Sequence, residues 1–279
     1  MDFLQEMKSS RWYVHPMEHK VVLVTGASRG IGRRCADRLA ESGWTVVGTS
    51  RSTIEGTNWS YLAMDVDDDE SVADAVATVI ADHGQIDALV ACAGWGLAGA
   101  VEQTPIDDAR AQMETNFFGV VRSVQAVLPG MRERGAGRIV VMSSIGGLLG
   151  IPFQAFYSAS KFALEGYVEA LSYEVEPHGV HVSLVEPGNF TTGFTDARRT
   201  VEAGPYAEAQ AKAVALMEKD EREGSDPDKV AGLVVSLLEA KKPRLRISVG
   251  PAGERIGVVA KRLFPFRLFA ASARSSLGV

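Results

Sequence analysis

The chain has 279 residues, of which 46% are hydrophobic and 23% are charged, so it has ample material for the core of one globular domain. Its formal net charge of −6 disfavours nucleic acid as a partner. The absence of any uncharged apolar stretch of about eighteen residues disfavours a membrane-spanning helix. The two cysteines, Cys35 and Cys92, lack metal-ligand spacing, so we expect reduced thiols in a cytoplasmic protein and no bound metal.

Residues 1–18 form a leader that carries three acidic side chains together with Lys8 and Arg11. This leader lacks an apolar core of signal-peptide length, and Met17 stands just ahead of the first apolar run. We therefore expect it to be poorly ordered.

Apolar runs of strand length then alternate with longer amphipathic stretches. Most of the runs are continuous in Val, Ile and Leu, which is typical of strands buried on both faces. This alternation predicts a single α/β domain, a doubly wound, Rossmann-like parallel sheet of about seven strands with helices on both faces. The predicted strands are 21–25, 45–49, 61–64, 88–91, 138–143, 181–185 and 245–249, and the predicted helices are 30–42, 69–83, 108–134, 155–177 and 226–240.

Residues 189–224 interrupt the alternation late in the chain, with helical patterns but no predicted strand. An insertion at this point would lie above the carboxyl ends of the strands, where ligands bind in parallel sheets. We expect it to form a substrate loop.

A glycine-rich loop, Thr25-Gly-Ala-Ser-Arg-Gly-Ile-Gly32, follows the first predicted strand. Its glycines allow a tight turn and a close approach to a pyrophosphate, while the next helix offers free N–H groups and a positive dipole end. The alternative is an ordinary strand-to-helix turn, but the position between a strand and a helix favours a dinucleotide site. The loop residues predicted to bind the cofactor are Gly26, Ser28, Arg29, Gly30 and Ile31.

The end of the second predicted strand indicates which dinucleotide is bound. It reads Gly48-Thr49-Ser50-Arg51 and lacks the carboxylate that would hold the ribose hydroxyls of NAD. Arg51 and Arg29 can together make bidentate, charge-assisted hydrogen bonds to a phosphate, and the less favoured alternative is that both are solvated surface charges. The pattern favours NADP(H) over NAD(H).

Tyr157 and Lys161 lie one turn apart in a predicted helix, so their side chains share a face. A phenol with a pKa of about 10 is a poor base at neutral pH, but an adjacent ammonium favours the phenolate. Ser144, at the end of a strand, would donate a hydrogen bond to a substrate oxygen that gains negative charge. The alternative is a surface tyrosine with a solvated lysine. Together with the glycine loop, however, the set indicates an oxidoreductase.

Over about residues 18–250 the chain resembles the short-chain dehydrogenase/reductase family, in its compact single-domain branch. The resemblance implies an NADP(H)-binding catalytic domain at 19–250 and pairing through helices 108–134 and 155–177 into a homodimer or homotetramer. The motifs that carry it are the glycine loop, Asp65-Val66, Ala93-Gly94, Asn116-Phe-Phe-Gly119, Ser143-Ser144, Tyr157-Ser-Ala-Ser-Lys161 and Pro187-Gly188.

The resemblance also implies roles. Tyr157 would be the acid/base and Ser144 the oxyanion partner, while Lys161 would orient the ribose and tune the tyrosine. Asn116 would hold a water in a proton relay. The residues placed at the cofactor are Asp65 at the adenine, Val66, Ala93, Gly94, Lys161, Pro187, Gly188, and Thr192 at the carboxamide or phosphates.

One position departs from the family pattern, because Cys92 stands where an asparagine is usual. A thiol replaces the hydrogen bonds of an amide only weakly, so the bracing beneath the cofactor is expected to differ. We expect Cys92 to be a small hydrophobe rather than a reactive thiol.

Apolar residues around the expected opening predict a hydrophobic carbonyl substrate, although each could also be core packing. Segments 146–153 and 157–166 resemble the 17β-hydroxysteroid and retinol dehydrogenase cluster, which implies a steroid-, retinoid- or aryl-ketone-like ligand. The predicted walls are Trp95, Leu149, Phe153, Phe190 and Phe194, with Leu148 and Tyr206 as further candidates.

The tail at 251–279 is basic and apolar. Its stretch 255–274 suits a helix on an anionic membrane surface, but Pro265 interrupts any single helix. We favour the alternative that its apolar groups cover the substrate opening or a neighbouring subunit.

Two other functions remain as alternatives. One is a non-catalytic Rossmann protein that senses NADP(H) or acts as a scaffold, and the other is a nucleotide-sugar epimerase or dehydratase. The presence of Asn116, Ser144, Tyr157 and Lys161 disfavours the first. The short segment after residue 189 disfavours the second.

Overall fold

The computed structural model describes residues 20–53 and 55–277. The leader predicted at residues 1–18 lies outside the described residues. Nine strands and nine α-helices occur in the described ranges, together with a π-helical turn at Glu114–Phe118 and a 3-10 turn at Ile145–Gly147. They are β1 Val21–Thr25, α1 Gly30–Glu41, β2 Thr45–Ser50, β3 Ser60–Ala63, α2 Asp69–His83, β4 Ala88–Ala91, β5 Leu97–Ala98, α3 Ile106–Met113, α4 Gly119–Arg134, β6 Gly137–Met142, α5 Ala155–Val175, β7 Val180–Pro187, β8 Arg199–Thr200, α6 Ala207–Arg222, α7 Asp228–Glu239, β9 Arg246–Val249, α8 Ala252–Leu263 and α9 Phe266–Leu277.

Seven strands form one parallel sheet in the order β3-β2-β1-β4-β6-β7-β9. The inner strand β1 is buried throughout because helices cover both faces of the sheet. Apolar residues of α2, α4 and α5 pack on one face, and those of α1 and α7 pack on the other. The predicted fold class is therefore confirmed. The strand order reverses between β1 and β4, and in such sheets ligands bind outside the carboxyl ends near this point.

The insertion at 189–224 differs from the prediction, because it contains the strand β8. The Arg199 amide donates to the carbonyl of Gly96 at 2.9 Å, and the Val201 amide donates to that of Ala98 at 2.8 Å, so β8 pairs with β5. A strand of two residues has no apolar period to read, which explains why the sequence pattern missed it. The pairing fixes the insertion to the loop that follows β4.

The long helix predicted at 108–134 begins earlier, at Ile106, and is interrupted by the π-helical turn. Such turns carry one extra residue and are frequent at functional sites. Here the turn contains Asn116, whose side chain is fully buried.

The tail forms α8 and α9, which are separated at Phe264 and Pro265 as the proline predicts. Within the described part of the chain, no helix combines the length and the apolar content needed to cross a membrane. Both cysteines are free thiols, with Cys35 buried and Cys92 partly buried.

Candidate active site

A cavity of about 880 Å³ opens at the carboxyl ends of β1, β2, β4, β6 and β7. The glycine loop lines one end, and residues of α5, α6 and the tail line the other. All of the residues predicted to bind the cofactor contribute to its lining: Gly26, Ser28, Arg29, Gly30, Ile31, Arg51, Asp65, Val66, Ala93, Gly94, Lys161, Pro187, Gly188 and Thr192. Ser144 and Tyr157 line the same cavity.

The glycine loop packs so closely against its neighbours that two of its glycines leave no room for a side chain. Gly26 has a φ of +68°, and a Cβ there would lie 2.8 Å from the backbone of Ala93. A Cβ on Gly32 would overlap the carbonyl oxygen of Gly26. Helix α1 begins at Gly30 without a side-chain cap or an acidic residue in its first turn. Its free N–H groups and positive dipole end therefore suit the pyrophosphate of a dinucleotide.

Two guanidiniums stand at the glycine-loop end of the cavity. Arg29 and Arg51 are both exposed and both contribute to the lining. Strand β2 ends at Ser50, and the residues lining the cavity just beyond it are Arg51, Ser52 and Thr53, none of which is a carboxylate. This end of the cavity offers positive charge where a phosphate on the adenosine ribose would lie.

Tyr157 is 8% exposed and projects from the first turn of α5. Burial raises the pKa of Tyr157 to about 12, while a hydrogen bond with the Ser144 hydroxyl acts in the opposite direction. The Gly146 amide donates to Ser144 Oγ at 3.0 Å and so fixes its position. The Phe194 ring packs edge-on against Tyr157, with the ring centroids 5.7 Å apart. The phenol therefore stays protonated at neutral pH and is held beside a second hydroxyl.

Lys161 is 6% exposed, and its Nζ donates to the carbonyl oxygen of Met142 at 2.8 Å. Burial lowers the pKa of Lys161 to about 8, although the nearby Cys92 and Glu165 act in the opposite direction. Nζ lies 5.9 Å from the centre of the Tyr157 ring.

Asn116 lies beneath the cavity rather than on its wall. Its Oδ1 accepts from the Trp95 amide at 3.0 Å, and its Nδ2 donates to the Trp95 carbonyl at 3.0 Å and to Ser160 Oγ at 3.2 Å. In this arrangement Asn116 braces the loop after β4 against α5. Its role with a relay water stays a prediction.

Four of the five predicted substrate residues line the cavity: Trp95, Leu149, Phe190 and Phe194. The placement of Phe153 is wrong. Its backbone adopts a φ of +59°, and its carbonyl accepts from the Gly99 amide at 2.7 Å, so it belongs to the turn that leads into α5. The further candidates Leu148 and Tyr206 also lie outside the lining.

A buried ion pair near Tyr157 was not foreseen. The Arg198 guanidinium pairs with the Glu221 carboxylate, which also accepts from Thr195 Oγ1 and lines the cavity. The side chains of Arg198 and Glu221 are 1% and 13% exposed. Arg198 also lies 5.8 Å above the Phe194 ring, so the pair fixes the ring that packs on Tyr157. Gln154, also unforeseen, lines the cavity and is 3% exposed.

The tail contributes Glu254, Gly257 and Phe269 to the cavity. Glu254 Oε2 accepts from the backbone amide of Asn189 at 3.0 Å, and its Oε1 accepts from the side-chain amide at 2.7 Å. Burial raises the pKa of Glu254, while these two hydrogen bonds act in the opposite direction. The tail is thus fastened to the loop after β7. In the sequence, the only feature that pointed to a role for Glu254 was that it is the one glutamate among the nine Lys/Arg of residues 241–279.

A doubly wound parallel sheet, an open glycine cradle and a Ser/Tyr/Lys set in one cavity define a dinucleotide-linked oxidoreductase. The family model described as short chain dehydrogenase matches residues 20–203. The chain belongs to the short-chain dehydrogenase/reductase family, as its motifs predicted.

Several known proteins are similar to this chain. The 3-ketodihydrosphingosine reductase of Bacteroides thetaiotaomicron is 42% identical over 254 residues, which cover 89% of this chain and 94% of that protein. The estradiol 17-beta-dehydrogenase 1 of Rattus norvegicus is 37% identical over 254 residues, which cover 82% of this chain and 73% of that protein. The crystal structure of a short-chain dehydrogenase from Streptomyces avermitilis matches with a TM-score of 0.78 and 36% identity. The match covers 93% of this chain and 94% of that one.

Proposed function

We propose that the protein is an NADP(H)-dependent reductase of a hydrophobic ketone or aldehyde. The observation that carries this proposal is that the buried Tyr157 lines one cavity together with Ser144, Lys161 and the glycine loop. The two hydroxyls and the dinucleotide cradle meet at the carboxyl ends of the strands, which is where the fold binds ligands.

When bound, the nicotinamide would supply the hydride to the carbonyl carbon. Tyr157 donates its phenolic proton to the carbonyl oxygen, which becomes the hydroxyl of the product. A pKa of about 12 keeps that proton available at neutral pH. Ser144 donates a hydrogen bond to the same oxygen as negative charge develops there. The Lys161 ammonium then stabilises the phenolate until a proton from solvent replaces the one transferred.

Arg29, Arg51 and the absence of a carboxylate among the lining residues just after β2 support a preference for NADP(H). A hydrogen bond to a charged group contributes about 1.5–3 kcal/mol, so losing one to the ribose phosphate corresponds to a roughly ten- to hundredfold loss of affinity. Arg51→Gln is therefore expected to weaken NADPH binding by that factor and to leave NADH binding nearly unchanged. Equal losses for both cofactors, measured by ligand fluorescence, would contradict the preference.

The apolar walls Trp95, Leu149, Phe190 and Phe194 support a hydrophobic substrate. Relatives bear the names of a 3-ketodihydrosphingosine reductase, an estradiol dehydrogenase and, at 41% identity over 190 residues, a human retinol dehydrogenase. NADPH oxidation with long-chain 3-ketones, steroid ketones, retinal, aryl ketones and short polar carbonyls would rank these classes. Preference for the short polar carbonyls would reject the hydrophobic assignment.

The decisive variant is Tyr157→Phe, which keeps the ring and removes the transferable proton. We expect turnover to fall roughly 10²- to 10⁴-fold, the usual contribution of general acid catalysis, while NADPH binding is retained. The matched control is Tyr173→Phe, because Tyr173 is 68% exposed and lies outside the cavity. Turnover by Tyr157→Phe at the control rate would refute the mechanism. NADPH binding without turnover of any carbonyl would instead favour the non-catalytic NADP(H)-sensing or scaffold protein.

The homodimer or homotetramer stays a prediction, as does the cytoplasmic location. Phe118 and Phe162 lie on the two segments expected to pair and are 45% and 42% exposed. Phe117 and Tyr167 instead pack against each other and the core. Phe118 and Phe162 therefore support self-association through α4 and α5, which light scattering of the full chain would test.

A further inference from the structure

Among the side chains that the structure describes in the tail, six are large, apolar and exposed, whereas most other apolar groups of the described chain are buried. Each of the six is between 54% and 75% exposed, and all fall within residues 256–268. They are Ile256, Val259, Leu263, Phe264, Phe266 and Leu268. Phe269 lines the cavity, as expected for a tail that covers the substrate opening, whereas these six do not, and their packing against a neighbouring subunit stays a prediction.

Helix α8 is amphipathic with its apolar stripe facing outward. Its inner face carries Glu254, which binds Asn189, the buried Val258, and Lys261, whose Nζ donates to the carbonyl of Leu148. Ile256, Val259 and Leu263 follow one another at helical spacing on the opposite face. In the described part of the chain nothing covers this stripe, so its arrangement is that of a docked rather than a solvated helix.

Arginines border the exposed apolar residues. Arg255, Arg262, Arg267 and Arg274 are all exposed, and none forms an ion pair with a carboxylate within the described ranges. Residues 241–279 carry nine Lys/Arg and one Glu, or +8, so the rest of the chain carries −6 − 8 = −14. Within residues 252–274 five Lys/Arg accompany one Glu, so positive charge lies on the two helices that also expose the apolar groups, which complements an anionic surface with an apolar interior.

We propose that residues 252–274 dock this protein on the surface of an anionic lipid bilayer. The six apolar side chains enter the acyl boundary, and the arginines contact lipid phosphates. Pro265 does not break the surface, because Leu263, Phe264 and Phe266 carry the exposed row across the junction of α8 and α9. Phe269 and Gly257 join this face to the cavity, so an apolar ligand would reach the site from the lipid layer. The docking itself does not depend on the proposed reaction.

The test is co-sedimentation of the full chain with vesicles of phosphatidylcholine alone or mixed equally with phosphatidylglycerol. Wild type is expected to pellet with the mixed vesicles. Leu263→Ser/Phe264→Ser/Phe266→Ser is expected to abolish that binding. Arg262→Gln/Arg267→Gln is expected to weaken it about 25-fold, since each basic residue contributes roughly fivefold near an anionic surface.

The matched control is Val101→Ser/Ile106→Ser, which removes two apolar side chains that are each 61% exposed elsewhere. It is expected to bind like wild type, and all variants are expected to keep the wild-type circular dichroism and melting temperature. Failure of the wild type to pellet, or undiminished pelleting of the serine triple variant, would overturn the proposal. The proposal would also be overturned if the wild type did not bind vesicles and the triple variant had a smaller mass than the wild type by light scattering. That result would assign the surface to contact with a second copy of the chain.

Discussion

Lys161 provides the sharpest electrostatic prediction, because its ammonium is buried among groups that only partly compensate it. In the folded protein burial lowers its pKa to about 8 from an ordinary value of 10.5. The unfolded chain therefore binds this proton more tightly than the folded one. By linkage, Lys161 lowers the free energy of unfolding at neutral pH, and this penalty disappears as the pH rises from about 8 to 10.5.

The magnitude follows from the pKa difference, since one unit corresponds to about 1.4 kcal/mol. Between about pH 7.5 and about pH 10 the contribution of Lys161 should change by roughly 2 kcal/mol in favour of folding. Lys161→Met removes this titration, so the difference in unfolding free energy between wild type and variant isolates it. The hydrogen bond from Nζ to the Met142 carbonyl is stronger in the ammonium form, and this pH-dependent part is already contained in the pKa difference.

The assay is urea unfolding of wild type and Lys161→Met without cofactor at the two pH values. The matched control, Lys219→Met, removes an exposed lysine, so its difference from wild type should be the same at both. A difference for Lys161→Met that is independent of pH would refute the reasoning, because it would mean that the folded and unfolded lysine titrate alike.

Two further substitutions, each compared with a second variant, test the packing of the site. Gly32→Ala places a Cβ against the carbonyl oxygen of Gly26, so we expect a loss of about 1–3 kcal/mol in urea unfolding together with loss of NADPH binding. Gly232→Ala, in open space on α7, should instead stabilise by about 0.5–1 kcal/mol, and a loss there would contradict the spatial argument. Arg198→Met leaves Glu221 buried and unpaired and should destabilise by about 3–5 kcal/mol, whereas Arg198→Met/Glu221→Gln should recover most of it. A double variant as unstable as the single one would show that the two charges are not coupled.

The sheet could be predicted because its strands are buried on both faces and so read as continuous apolar runs. β1 and β4 begin and end where the pattern places them, and α2 runs over 69–83 as predicted. The misses have local causes. β8 is too short to show a period, and the π-helical turn before α4 changes the helical spacing by one residue without changing the apolar pattern.

The motif part of the site could also be predicted, because parallel strands carry their following loops to one edge of the sheet. Arg198, Glu221 and Glu254 could not, since the packing of the insertion and the tail across the opening brings Glu221 and Glu254 to the cavity and Arg198 against Glu221. Phe153 was misplaced for a related reason. The sequence pattern predicts that an aromatic residue near the opening lines the pocket. The left-handed backbone conformation of Phe153 instead places it in the turn that leads into α5.

The departure at Cys92 shows how the structure supports the cofactor cradle without the usual amide. Thr25 Oγ1, at the end of β1, accepts from the amide of Cys92 at 3.1 Å and from that of Ala93 at 3.2 Å. The brace between β1 and the loop after β4 thus comes from the neighbouring strand rather than from residue 92. A hydrogen bond from the Cys35 thiol to Cys92, together with burial, raises the pKa of the Cys35 thiol. A Cβ on Gly32 would lie 3.2 Å from the Cβ of Cys92, so the first turn of α1 packs closely on residue 92, and a small side chain there leaves room for the helix N-terminus beside the cavity.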